Sequence, residues 1–136
     1  ALISGVAAAL KAIKPDVKIY AVQAEVNSAL AAAFTTGGAT WIEYNETIVE
    51  GASTPVITHN MYPMIRSLVD ELVVVSEEET RAAMRRLAIS DKLVTEGAGA
   101  ASVAAALKVP LDDRGETVCI VSGGSVDPAV FASVLS

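Results

Sequence analysis

An apolar run that breaks abruptly into a polar, glycine-rich turn, Thr117-Val118-Cys119-Ile120-Val121-Ser122-Gly123-Gly124-Ser125-Val126-Asp127-Pro128, narrows the folds open to this chain more than any other stretch. β-Branched Val118, Ile120 and Val121 around the small Cys119 suit a strand covered on both faces, as in a parallel sheet. Open α/β sheets bind ligands just beyond the carboxyl ends of their strands, and Ser122-Gly123-Gly124 falls at that position. A hydroxyl there donates or accepts a hydrogen bond, and two glycines let backbone approach a flat ligand. The same residues also read as a plain strand, a Gly-Gly turn and a helix opened by Asp127-Pro128. Taken alone, the stretch leaves both readings open.

The rest of the chain alternates in the same way. Leu2, Ile3, Val6, Ala7, Leu10 and Ile13 recur at helical spacing, so a helix is predicted from Leu2 to about Lys14, stopped by Pro15-Asp16. Val17 to Val22 reads as a strand, and Ser28 to Phe34 as a helix with Asn27 as its N-cap. Trp41 to Pro55 reads as loop interrupted by a short strand near Ile48-Val49. A helix is placed within His59 to Glu71, with Pro63 in its first turn, and a strand at Leu72 to Val75. Ser76-Glu77-Glu78-Glu79 is a capping box opening a helix that turns Ala83, Met84 and Leu87 inward, with Glu77 and Arg81 as an i,i+4 pair. From Glu96 to Leu107 a run of small residues suits a helix that approaches its neighbours closely, with Glu96 complementing its positive end. The expected fold is a single α/β unit over 1–136: a parallel sheet of about three to four strands flanked by helices, joined by right-handed crossovers.

Composition sharpens this. At 136 residues the chain fits one domain that buries roughly two-thirds of its unfolded surface. It is 52% hydrophobic but only 4% aromatic, so small aliphatics do the packing, and part of its surface is expected to be covered by another segment or subunit. A net charge of −6 with no basic stripe argues against a nucleic-acid partner. No apolar run reaches membrane-span length. One cysteine, Cys119, excludes a disulfide framework and suits a cytoplasmic setting.

Four motifs, taken together, carry a family likeness. Leu2-Ile3-Ser4-Gly5, Ile48-Val49-Glu50-Gly51, Glu96-Gly97-Ala98-Gly99-Ala100 and Val121-Ser122-Gly123-Gly124-Ser125-Val126-Asp127, in that order and at those separations, resemble the threonine dehydratase and serine racemase group of fold-type II pyridoxal phosphate enzymes. The resemblance runs along essentially the whole chain. It implies part of the tryptophan synthase β-like fold, and a set of cofactor-binding residues. Ala1 matches the last glycine of a loop that cradles the cofactor phosphate, so Ala1 and Leu2 are what the chain holds of that cup. Gly51 matches a loop glycine near the cofactor ring, Glu96 a carboxylate close to the ring, and Ser122, followed by Gly123, the hydroxyl that bonds the pyridine nitrogen. A serine, unlike an aspartate, does not hold that nitrogen strongly protonated, which suits prompt loss of a β-hydroxyl after α-proton removal.

By resemblance the complete enzyme converts threonine or serine to a 2-oxoacid and ammonia. The lysine that anchors the cofactor, the loop for the substrate carboxylate and most of the phosphate loop belong to a segment that would precede Ala1. None of Lys11, Lys14, Lys18, Lys92 or Lys108 matches that lysine, and each reads as a solvated surface charge. The expectation is the C-terminal part of a catalytic region, holding no catalytic residue of its own and inactive as a lyase without an N-terminal partner segment, with self-association through its uncovered surface. Gln23 and Ala29 stand where metal-binding relatives have carboxylates, so no divalent cation is expected. Ser125 and residues 53–58 depart from the family pattern and leave the hydroxyamino acid open, as well as the choice between elimination and racemisation. His59, the only histidine, reads as a surface residue at a helix start. The competing reading is a non-catalytic α/β binding or assembly module. A Rossmann-like nucleotide domain ranks last, because no Gly-x-Gly-x-x-Gly turn follows a strand.

Overall fold

The computed structural model describes residues 2–136. Its centre is a parallel pair, β1 (Tyr20–Ala24) and β2 (Glu71–Val75), in register Tyr20↔Glu71 through Ala24↔Val75. Side chains alternate across the pair, so its two faces serve two layers. Ala21 and Leu72 face a core with α1 (Leu2–Ile13), α2 (Ala29–Thr36) and α3 (Met61–Leu68), built on Ala7, Leu30 and Ile65. Val22, Val73 and Val75 face a second core with α4 (Glu77–Arg86), α5 (Gly97–Lys108) and α7 (Pro128–Leu135), built on Met84, Ala101, Ala104 and Val134. A short α6 (Leu111–Arg114) lies in the connection after α5.

The local signals act as their chemistry requires. Ser76 Oγ accepts from Glu79 N at 3.1 Å while Glu79 Oε2 accepts from Ser76 N at 2.8 Å, the reciprocal capping box. Arg81 pairs with Glu77 at 3.2 Å. Asp127 Oδ1 accepts from Ala129 N at 2.7 Å and starts α7. His59 sits exposed in the turn before α3.

Several expectations change. The α/β class with a parallel sheet holds, but the sheet has two strands among the described residues rather than three to four. Residues 117–121 have no ladder partner there, and Val118 is 90% exposed. Their β-branched side chains favour a strand conformation, but a ladder also needs a neighbouring edge, and this stretch lies against α5 instead. Ile48-Val49 is turn leading into a 3₁₀ turn at Glu50–Ala52, and Val49 is apolar because it is fully buried. Asn27 is not the cap of α2. It clamps the following loop, donating to Asn45 O at 2.8 Å and accepting from Asn45 N at 2.9 Å. The free N–H groups of α2 are met by Gln23, whose Oε1 accepts from Leu30 N at 2.8 Å. Lys11 and Lys108 are not merely solvated: Lys11 pairs with Asp70 at 2.8 Å and Lys108 with Glu79 at 3.0 Å.

Candidate functional site at the start of α5

The loop 45–51 is drawn across the carboxyl ends of both strands. Asn27, just after β1, holds Asn45. Thr47 Oγ1 donates to Glu77 Oε2 at 3.2 Å, just after β2. Gly97, the first residue of α5, meets the Ile48 carbonyl so closely that a Cβ would collide with it. The start of α5 is thereby fixed at the edge where α/β sheets hold ligands.

Glu96 is the N-cap residue of α5, yet its side chain makes no capping hydrogen bond. A carboxylate in that place ordinarily accepts from the first free N–H groups. Here it lies instead over two glycines. A Cβ on Gly51 would stand 3.3 Å from Glu96 Oε1 and 3.1 Å from Ala98 Cβ. A Cβ on Gly123 would collide with the Glu96 carboxyl outright, and Gly123 has φ +74°, a conformation side-chain-bearing residues rarely take. Glu96 N in turn donates to Gly123 O at 3.1 Å.

One turn further along α5, Gly99 abuts the Ser122 carbonyl, which leaves no room for a Cβ. Ser102 Oγ donates to Ile120 O at 2.8 Å, and Cys119 Sγ reaches Ser102 O at 3.6 Å. Burial pushes the Cys119 thiol up, against a smaller opposing pull from Arg114. Ser122 itself is exposed, and its hydroxyl makes no hydrogen bond among the described residues.

Four of the residues singled out from sequence, Gly51, Glu96, Ser122 and Gly123, therefore meet in one place. Leu2 does not join them by any hydrogen bond among the described residues: it is 59% exposed at the start of α1, the helix of the other core. Ala1 lies outside the described residues. Gln23, Asn27 and Ser102 were not foreseen as supports, whereas the close approach at Gly99 follows from the run of small residues. Of the three, Ser102 left a signal, as a lone hydroxyl among alanines.

Comparisons with known proteins identify the family. The family described as "Pyridoxal-phosphate dependent enzyme" matches residues 1–123. The chain is similar to the L-threonine dehydratase catabolic TdcB of Escherichia coli (strain K12), at 40% identity over 129 residues, covering 93% of this chain and 39% of that enzyme. Among solved structures it is similar to maize serine racemase, with TM-score 0.82 and 30% identity over 97% of this chain and 42% of that one. It is also similar to a threonine deaminase from T.th., with TM-score 0.80 and 28% identity over 93% of this chain and 46% of that one. The chain thus spans about two-fifths of the length of the curated relatives it matches. With nine-tenths of its length inside the family's match, the chain belongs to the pyridoxal-phosphate dependent enzymes.

Proposed function

We propose that this chain is the C-terminal, ring-binding portion of a pyridoxal phosphate-dependent hydroxyamino-acid ammonia-lyase of the threonine or serine dehydratase type. One observation carries the reading: the Glu96 carboxylate makes no cap to its own helix and rests on Gly51 and on Gly123, the residue that follows the exposed Ser122.

The residues present fit the ring half of the cofactor. Ser122 offers a neutral hydroxyl able to bond a pyridine nitrogen without forcing a proton onto it. The backbone turn at Gly123 and the glycine at 51 are the surfaces a flat ring can approach, and the start of α5 adds the positive end of a helix dipole. When bound, pyridoxal phosphate supplies the electron sink that lets an amino acid lose its α-proton and then its β-hydroxyl. The chain's own part is to hold the ring and set its electronic character. The proton-moving lysine belongs to an N-terminal segment, so that the two portions together convert a hydroxyamino acid to a 2-oxoacid and ammonia. Elimination is favoured over racemisation because the curated relatives at 40% and 39% identity are named as dehydratases, against 30% for the maize racemase. Ile13, 85% exposed, and Val118, 90% exposed, support cover by that segment or by a second copy. No helix among the described residues is long and apolar enough to cross a membrane, and the single free thiol supports a cytoplasmic setting.

The test is a pyridoxal phosphate titration of the chain combined with a lysine-bearing N-terminal segment, followed by absorbance and by 2-oxoacid release from threonine and serine. Saturable binding and 2-oxoacid release are expected, with Ser122→Ala weakening cofactor affinity by about fivefold, the value of one hydrogen bond. Unchanged affinity and absorbance in Ser122→Ala would remove Ser122 from this role.

A further inference from the structure

Segment 119–123 carries Ser122 but has no strand beside it among the described residues. One side of α5 runs along the segment. Glu96, Gly99 and Ser102 recur every three residues and so share a helix face. Each meets the segment: Glu96 through its N–H to Gly123 O, Gly99 by admitting the Ser122 carbonyl, and Ser102 through Oγ to Ile120 O. The first two contacts use backbone. Ser102 is the one member of the set whose side chain hydrogen-bonds the segment, and the group it answers is a backbone carbonyl.

We propose that Ser102 is a positioning residue: its hydroxyl bonds the Ile120 carbonyl and so fixes the Ser122 hydroxyl. What Ser122 is held toward rests on the cofactor reading above; that Ser102 holds it does not. The role differs from simple stabilisation of α5. Loss of the hydroxyl leaves the buried alanines of that helix untouched and frees a segment two residues from the ring site.

Cys119, the chain's only cysteine, lies in the segment with its thiol against Ser102 O and reports directly on whether the segment stays docked. In the chain, Ser102→Ala is expected to speed labelling of Cys119 by an aromatic disulfide reagent about threefold, in line with loss of one part-exposed hydrogen bond. Ser102→Thr, which keeps the hydroxyl, returns the rate to that of the unsubstituted chain. In the protein with its lysine-bearing segment, Ser102→Ala weakens cofactor binding about threefold, and adds nothing once Ser122→Ala is present, because both act through one hydroxyl. An unchanged thiol rate in Ser102→Ala, failure of Ser102→Thr to restore it, or multiplying effects of Ser102→Ala and Ser122→Ala would each overturn the proposal. If the unsubstituted protein takes up no cofactor, the cofactor reading falls, and the thiol rates alone decide whether Ser102 holds the segment.

Discussion

Gly123 joins two requirements that no other residue type meets together. Its φ of +74° disfavours any L side chain, and the place a Cβ would take is filled by the Glu96 carboxyl. Gly123→Ala is therefore expected to lower stability by about 1–3 kcal/mol and to push Glu96 off its seat. Thermal unfolding checks the first effect, and loss of cofactor affinity in the complete enzyme checks the second. A variant as stable as the parent would mean that the turn relaxes freely. At this scale the motifs led to residues that the fold brings together, Gly51, Glu96 and Gly123. The sequence was not legible where a polar side chain served a distant backbone. Gln23 sits in a strand and caps a helix seven residues on. Asn27 stands where a cap is common, but its amide instead bonds both backbone groups of Asn45, 18 residues away. Nothing local distinguishes those two uses.

Elements were legible to the degree that their causes are local. The capping box, the Asp127-Pro128 start of α7 and the inward face of α4 each depend on residues within one or two turns, and each formed as read. Ser76→Ala is expected to cost about 1 kcal/mol, since it leaves Glu79 N without its acceptor at the start of a helix with one buried face. Chemical denaturation would show this as a lower midpoint with an unchanged slope. A slope change would mean that the cap also shapes the unfolded chain. The run 117–121 shows the opposite case, because pairing is a property of two segments and only one of them is written in the run itself. The π turn at Leu87–Asp91, closed by Lys92 at φ 60°, was likewise hidden, since its residues continue the helical pattern of α4.

Across the whole molecule, two ion pairs stitch the layers to the sheet. Asp70 accepts from Lys11 of α1 and from Ile19 N ahead of β1, and these two contacts hold its carboxyl below the usual range, the Lys11 hydrogen bond foremost. Glu79 is lowered first by Ser76 N and then by Lys108, which also donates to Val74 O of β2. Both carboxyls bind protons less tightly in the folded chain than in the unfolded one. Their contribution is therefore present above the ordinary carboxylate range and is lost as pH falls through the lowered folded values, below about pH 4. The double variant Asp70→Asn/Glu79→Gln is expected to be less stable than the parent near neutral pH and to converge with it as the medium is acidified. Urea melts across that range test this; a constant gap would place the acid sensitivity elsewhere.

The parallel pairing of β1 with β2 also dictates an order of events. Every partnered pair in that ladder lies 51 positions apart, as do Ile19 and Asp70 at its mouth, whereas α4 and α5 are successive helices. A long loop must close before the ladder gains anything, so helix pairing outruns sheet formation. The edge that gathers Asn45, Thr47 and the start of α5 also draws on a distant contact, Ile48 with Gly97, and so forms after the helices have paired.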